Sequence, residues 1–345
     1  MIVRDEAQVI GRCLDSVRGF ADSYVIVDTG SADNTRELVQ LHELPGQLHH
    51  RPWVNFGHNR TELMALARGK ADWLLLLDAD MTLEHERYRL FLDDVDDDID
   101  AFMIRFPGDP EYWLKCLIRG DKQWRSVGAA HEYLAGENGR HGRLHGLTIR
   151  HHGDGGHRAE KFERDLQLLR AELDEDAGNA RAQFYYANTL RDLGRGEEAI
   201  DAYLRRAKMG GWDEERFCAL LEAGRLSGDP DILFEAWSAR PHRAEPLYEL
   251  SWRFRRRRQW AAAQMVAERG ASMSLPDDIL FVNRWVYEWG CLFELSIAAF
   301  YAGAIEEARD CHERLLACET LPGAYRDQVV RNGEWLSPEP AAGRR

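Results

Sequence analysis

The sequence predicts an α/β domain built on a mostly parallel sheet over residues 1–156, an all-α domain of paired helices over 157–336, and a frayed tail at 337–345. Three observations carry this expectation. The chain has 345 residues, more than the roughly 100–200 of one usual domain. As far as Arg150, short apolar runs alternate with amphipathic stretches, the pattern of strands and helices wound into one sheet. Past Gly156 helical periodicity is almost unbroken, and the turn at Leu193-Gly194 recurs one helix pair further on at Ser227-Gly228.

Met1 to Val3 reads as a short strand. Val9, Ile10, Cys13, Leu14 and Val17 recur at three and four residues and share one helix face. Tyr24 to Val27 is a β-branched and aromatic strand that ends at Asp28, where Gly30 and Ser31 signal a tight turn into a helix. Leu38 and Leu41 are expected on the buried side of that helix. Trp73 to Leu77 is an apolar run of the kind covered on both faces, and it stops at Asp78-Ala79-Asp80. In open sheets ligands bind beyond the carboxyl ends of the strands, so Asp28 and Asp78 are expected to converge on one crevice. The run from Asp93 to Asp100, with six Asp in eight residues, reads as a solvated loop.

In the second part, Ala182 to Leu193 and Glu197 to Ala207 form a helix pair around Gly194. Tyr186, Ala187, Leu190, Ala199 and Tyr203 stand where two helices pack closely. Further pairs are expected around Gly228, Arg258 and Gly303, the last with Ala298, Tyr301, Ala308 and Leu316. A repeat of this length is the signature of tetratricopeptide arrays, in which each pair buries its apolar face against its neighbours.

Composition sets limits. A net charge of −14 argues against a surface that wraps nucleic acid. The basic run Arg253 and Arg255 to Arg258 is read as a solvated helix face. Six cysteines without a C-x-x-C pair suit a reducing compartment. No basic segment followed by an apolar run opens the chain, and no stretch of about 18 apolar residues occurs. A cytoplasmic protein without signal peptide or membrane span is the expectation.

Asp78-Ala79-Asp80 is the most informative short motif. Two carboxylates one residue apart at a strand end can share a hard divalent cation that in turn binds diphosphate oxygens; a solvated turn is the plain alternative. The preceding leucines and Asp28 at a parallel strand end favour the first reading.

Four blocks then fall in order between Met1 and Asp80: Met1 to Ala7; Val25 to Ser31 with Asp33, Asn34 and Thr35; Phe56 with Asn59 and Arg60; and Asp72-Trp73 leading to Leu77-Asp78-Ala79-Asp80. Together they resemble the family 2 glycosyltransferases of the GT-A (Rossmann-like) fold, in the bacterial branch that carries a tetratricopeptide-like helical domain. The resemblance implies transfer of a sugar from a nucleotide diphosphate donor such as a UDP-sugar, with Mn²⁺ or Mg²⁺ and with inversion. It implies that Val3, Arg4 and Glu6 with Asp28, Thr29 and Asp33 hold the nucleobase and ribose, and that Arg60 lies near the nucleotide. Asp80 would ligate the metal, while Asp78, beside Ala79, would contact the ribose or reach the metal through water. The branch has a His-Glu pair some way after the D-x-D, matched here by His131 and Glu132. Glu132 is then the base that takes the acceptor's proton, and His131 a helper or orienting group. His152, one of a His pair ending the catalytic half, can complete the metal shell, and Arg119 and Lys122 can neutralise the diphosphate.

Many members carry two adjacent acids before the Gly-Ser turn where this chain has Asp28 followed by Thr29, so the base contact is left open. The chain also starts inside its first strand, which predicts less support at that edge of the nucleotide pocket. The helical part reads either as the surface that holds a peptide or protein acceptor or as a buttress. Two rival readings remain: a nucleotide-binding scaffold whose catalytic half has decayed, against which Asp28, Asp78, Asp80 and Glu132 all stand, and a nucleotidyltransferase, whose Gly-rich, basic phosphate loop is missing.

Overall fold

A computed structural model describes residues 1–85, 95–96, 98–108, 110–136, 139–155 and 161–336. The chain divides into two compact units, Met1–Arg195 and Gly196–Arg345. The expected tail at 337–345 and the turning point at Gly156 lie outside the described residues.

In the first unit β1 (Ile2–Val3), β2 (Tyr24–Asp28) and β3 (Gly46–His50) form a parallel sheet in that order. Its register sets Val3 against Asp28 and Asp28 against His50, so three carboxyl ends share one edge. The helices α1 (Ile10–Ser16), α2 (Thr35–Leu41) and α3 (Phe56–Ala67) connect these strands and lead on to β4 (Trp73–Leu75). A second sheet has the order β4, β7 (Tyr112–Arg119), β6 (Ile99–Phe106), β10 (Arg140–His151) and β5 (Met81–His85). Here only β6 and β10 run parallel. The fold is therefore α/β with mixed sheets rather than one mostly parallel sheet. The short link between β6 and β7 is a hairpin, and a hairpin can only pair antiparallel.

Helix α1 explains how the halves of this unit hold together. Ile10 and Leu14 face the first sheet with Ile26 and Val39, while Cys13 and Val17 face the second with Leu83, Ile104 and Leu117. All five apolar positions anticipated on this helix are buried, and full burial of a Leu or Ile side chain contributes about 1.5–3 kcal/mol. Ala79 joins the same core at 3% exposure. It anchors the D-x-D triplet inward, and the side chains on either side of it are turned out. On α2 the expectation fails: Leu38 and Leu41 are exposed, and Val39 is the buried contact. The helix is only two turns long, so one residue of phase error reverses its faces. In the acidic run Asp100 is buried on β6 beside Lys122, not solvated; Asp93, Asp94 and Asp97 lie outside the described residues.

The strands β8 (Arg125–Val127) and β9 (Tyr133–Ala135) flank the loop that carries His131 and Glu132. Helix α3 starts on this loop. Asn55 caps it by accepting the His58 N–H at 2.8 Å, and a Cβ at Gly57 would strike the Gly128 carbonyl. The helices α4 (Lys161–Glu175) and α5 (Ala180–Asp192) complete the unit.

The second unit consists of α6 (Gly196–Ala207), α7 (Asp213–Ser227), α8 (Pro230–Ala239), α9 (Glu245–Arg256), α10 (Trp260–Ala271), α11 (Cys291–Ala302), α12 (Ile305–Ala317) and α13 (Gly323–Gly333). From α6 to α13 each helix packs on its sequence neighbours, as tetratricopeptide-like pairs do. All four anticipated turn positions, Gly194, Gly228, Arg258 and Gly303, have positive φ. A longer segment separates α10 from α11, and a buried ion network reaches into it. Arg243, fully buried, donates to Glu245 at 2.8 and 3.0 Å and to Asp278 at 2.9 Å. The basic run is only partly a solvated face: Arg255 is partly buried against Glu294 at 2.5 and 3.0 Å, and Arg256 to Arg258 are solvated. On the last pair Ala298 and Ala308 are buried as expected, but Tyr301 and Leu316 are exposed and Leu315 takes the inward place.

Candidate active site

At the edge shared by β1, β2 and β3, Asp28 is fully buried. Its Oδ1 accepts the N–H groups of Gly30 and Ser31, both at 3.1 Å, and faces His50 Nδ1 at 3.2 Å. Burial pushes its carboxyl up, but the bonds from Ser31, Gly30 and His50 outweigh this and hold it below its ordinary value. Its Oδ2 is buried with no hydrogen-bond partner among the described residues, a condition that asks for a reason in a folded protein. Thr29 donates its hydroxyl to the Val3 carbonyl at 3.1 Å, so this hydroxyl ties β1 to β2. The loops that follow are tied together. Asp5, at φ +55°, accepts Ala32 N–H at 2.7 Å, while Asp33 accepts Ala7 N–H at 3.1 Å. Glu6 N–H donates to Thr35 Oγ1 at 2.8 Å. Arg4 projects to solvent near Asp5.

The second cluster centres on Arg60. Its Nη2 reaches both oxygens of Asp78 at 2.8 and 2.9 Å, and its Nε lies 2.5 Å from Glu132 Oε1. The Nε–H does not point along that second contact, which is therefore an ion pair and not a hydrogen bond. Burial disfavours the guanidinium charge, and the Asp78 and Glu132 carboxylates more than restore it. One cation thus holds two acids from separate parts of the domain sequence. Replacing Arg60 with Met should leave both carboxylates partly buried without their shared cation. Loss of one partner from a buried pair destabilises by about 3–5 kcal/mol; Arg60 is 27% exposed, so about 2 kcal/mol is expected in urea melts. Unchanged or raised stability would show that the bridge contributes nothing.

Asp80 lies beside this bridge in sequence and faces His151 Nε2 at 3.0 Å. His152, the expected ligand, instead shares a hydrogen bond with Thr82 at 2.8 Å, although its backbone N–H donates to the Asp80 carbonyl at 3.0 Å. Side chains alternate along a strand end, so only one member of the His pair can face Asp80. The chain beyond is fastened by Arg12, which binds Asp154 through two bonds of 2.9 and 2.6 Å, and Gly155 passes close to Glu6 and Asp80.

Glu132 follows His131, whose φ of +50° is left-handed. Such a conformation costs on the order of 1–3 kcal/mol for a residue with a side chain and persists only where its surroundings enforce it. Helices α4 and α5 lie against it. Ala130 is buried with Leu169 and Ala182, and the His131 ring is stacked on Tyr185 with centroids 4.3 Å apart and planes 5° apart.

The structure therefore gathers Arg60, Asp78 and Glu132 in one cluster, and sets Val3, Asp28 and His50 on one sheet edge. Arg119 lies elsewhere: it stacks over Trp73 at 4.5 Å and donates to the carbonyls of Val95, Asp96 and Ile99. Because β7 runs antiparallel to β4, Arg119 pairs with Trp73 at the start of β4, the end away from Asp78. Lys122, the other cation expected at the diphosphate, lies 3.9 Å from Asp100 instead. Ala79 is core. His50, Arg12, Arg181 and Tyr185 escaped the sequence reading, since none stands in a motif and each gains its neighbour only by folding; His151 enters that reading only as the other member of the His pair, of which His152 is the expected ligand.

Among the described residues no three His, Cys, Asp or Glu side chains gather to hold a metal ion. Asp80 and His151 do form a two-donor set of the right chemistry, a carboxylate oxygen and an imidazole nitrogen. A cation there would need further oxygens, which a diphosphate and water can supply.

Residues 1–152 match the model of glycosyl transferase family 2. A TPR repeat-containing protein of Synechococcus elongatus is 43% identical over 84 residues, 24% of this chain and 20% of its own. An uncharacterized glycosyltransferase of Rickettsia prowazekii is 27% identical over 129 residues, 36% of this chain and 40% of its own. The SPbeta prophage-derived glycosyltransferase SunS of Bacillus subtilis is 22% identical over 223 residues, 60% of this chain and 52% of its own. The chain spans between a fifth and about half of the length of these relatives. No described helix is long and apolar enough to cross a membrane.

Proposed function

We propose, since residues 1–152 match the model of glycosyl transferase family 2, that the protein moves a sugar from a nucleotide diphosphate, a UDP-sugar, to a hydroxyl or peptide acceptor, with inversion and with Mn²⁺ or Mg²⁺. The observation that carries this is the single guanidinium of Arg60 between Asp78 and Glu132, with Asp80 and His151 alongside.

Glu132 takes the proton of the acceptor hydroxyl as its oxygen attacks the anomeric carbon and the bond to the diphosphate oxygen breaks. Asp78, partly exposed and held by both its oxygens, orients Arg60 toward the leaving group, where a fixed cation stabilises developing negative charge. Asp28 and His50 line the nucleoside end. Three carboxylates against one guanidinium would repel a free diphosphate. Asp80 and His151 are the residues that would hold a divalent ion, which supplies the missing positive charge when bound. The full chain should release UDP from at least one member of a UDP-sugar panel with Mn²⁺ and not with EDTA. If UDP and Mn²⁺ raise the melting temperature while no donor is ever consumed, the scaffold reading replaces this one.

We assign acceptor binding to the second unit, because stacked helix pairs offer an extended surface for chain-like ligands. A chain ending at Arg195 keeps every residue named above. It should still hydrolyse donor but lose transfer to acceptor; loss of both activities would make the helices a buttress.

A further inference from the structure

The segment that carries Glu132 is held by helices that lie beyond the residues matched by the family model. Glu172 on α4 accepts the Ala129 N–H at 3.1 Å. Arg181 on α5 donates its Nε–H to the His131 carbonyl at 3.2 Å, and Tyr185, one turn along the same helix, covers the face of the His131 ring. The Arg181 guanidinium also lies 4.8 Å over the Tyr185 ring and 5.5 Å over that of Tyr133, so it joins α5 to the strand that follows Glu132. The start of α5 is itself locked: Asn179 accepts the Ala182 N–H at 3.0 Å and donates its amide to Glu172 at 3.0 Å.

His131 sits in the left-handed region, which a residue with a side chain leaves unless both its peptide and its side chain are restrained. Arg181 restrains the peptide and Tyr185 the ring. Glu132 comes next along the chain, and its contact to Arg60 depends on that geometry. We infer that Arg181 and Tyr185 are positioning residues of the transfer site, which fix the His131-Glu132 turn so that Glu132 meets Arg60 and the acceptor hydroxyl. This rests on Glu132 as the base; the catalytic machinery then extends through α5, past the family domain.

Hydrogen exchange and turnover of the full chain test it together. In Tyr185→Ala and in Arg181→Ala, amides of residues 128–134 should exchange at least about tenfold faster, as expected of a locally opened segment, while those of α3 keep the parent rate. Tyr185→Phe, which keeps the ring and gives up the 3.5 Å hydrogen bond from Arg181 Nη2, should protect residues 128–134 better than Tyr185→Ala. With UDP-glucose and UDP-N-acetylglucosamine as probes, the two alanine variants should release UDP about 10- to 100-fold more slowly, the loss that misplacement by an ångström brings, with the melting shift produced by UDP and Mn²⁺ retained. Parent-like exchange at 128–134 overturns the inference, and so does faster exchange throughout the unit with loss of the UDP shift, since that marks general destabilisation. Should the parent release UDP from neither donor, that result bears on the donor and on the transferase reading, and the exchange data alone decide whether α5 holds the turn.

Discussion

Replacing Glu132 with Gln should lower transfer by about 10²–10⁴-fold, the usual contribution of a positioned general base, with the melting shift from UDP and Mn²⁺ preserved. The amide keeps the shape of the carboxylate but cannot accept the proton released as the acceptor oxygen attacks. It also removes one negative charge from beside Arg60, so binding of an anionic donor should hold or tighten while turnover collapses. Steady-state rates at saturating donor separate the two effects. A variant that turns over as fast as the parent would take the role of base away from Glu132. A variant that loses nucleotide binding in proportion would make Glu132 a structural partner of Arg60.

Asp80→Ala should be nearly as severe, with turnover down by about 10²–10³-fold, the size seen when one element of charge stabilisation is removed from a leaving group or oxyanion. The fold should survive. Asp80 is partly exposed, its backbone carbonyl keeps the His152 N–H, and the neighbouring Ala79 still anchors the triplet in the core. The Mn²⁺-dependent part of the UDP melting shift should vanish while any metal-independent part remains. Equal turnover by variant and parent would end the metal-dependent reading.

Much of the fold was legible before folding was considered, wherever local pattern and tertiary packing agree. The periodicity of Val9, Ile10, Cys13, Leu14 and Val17 predicts a helix that is buried along that stripe, and so it is. The turns at Gly194, Gly228 and Gly303 follow from residue type and spacing, and the one at Arg258 from spacing alone. Short elements were less legible. On two-turn α2, Leu38 and Leu41 could not be phased, and Asp100 looked like its acidic neighbours until β6 carried it inside. The site follows the same division. Asp78, Asp80, Arg60 and Glu132 stand in recognisable blocks, whereas the choice of His151 over His152 depends on which face of the end of β10 meets Asp80.

By itself, then, the sequence determined several of the early strands and helices, the two kinds of domain and the acids that end the apolar runs, because periodicity and turn chemistry are properties of neighbours along the chain. Only the tertiary structure decided which charges meet. Arg60, Asp78 and Glu132 belong to three separate blocks of the sequence, on a helix, at a strand end and in a loop, and nothing local to any of them encodes a shared guanidinium. Strand direction sent Arg119 to the far end of β4, and the packing of α5 fixed the left-handed turn before Glu132. Contacts of that range are set by how sheets and helices close on one another, and a pattern read over a few residues does not contain them.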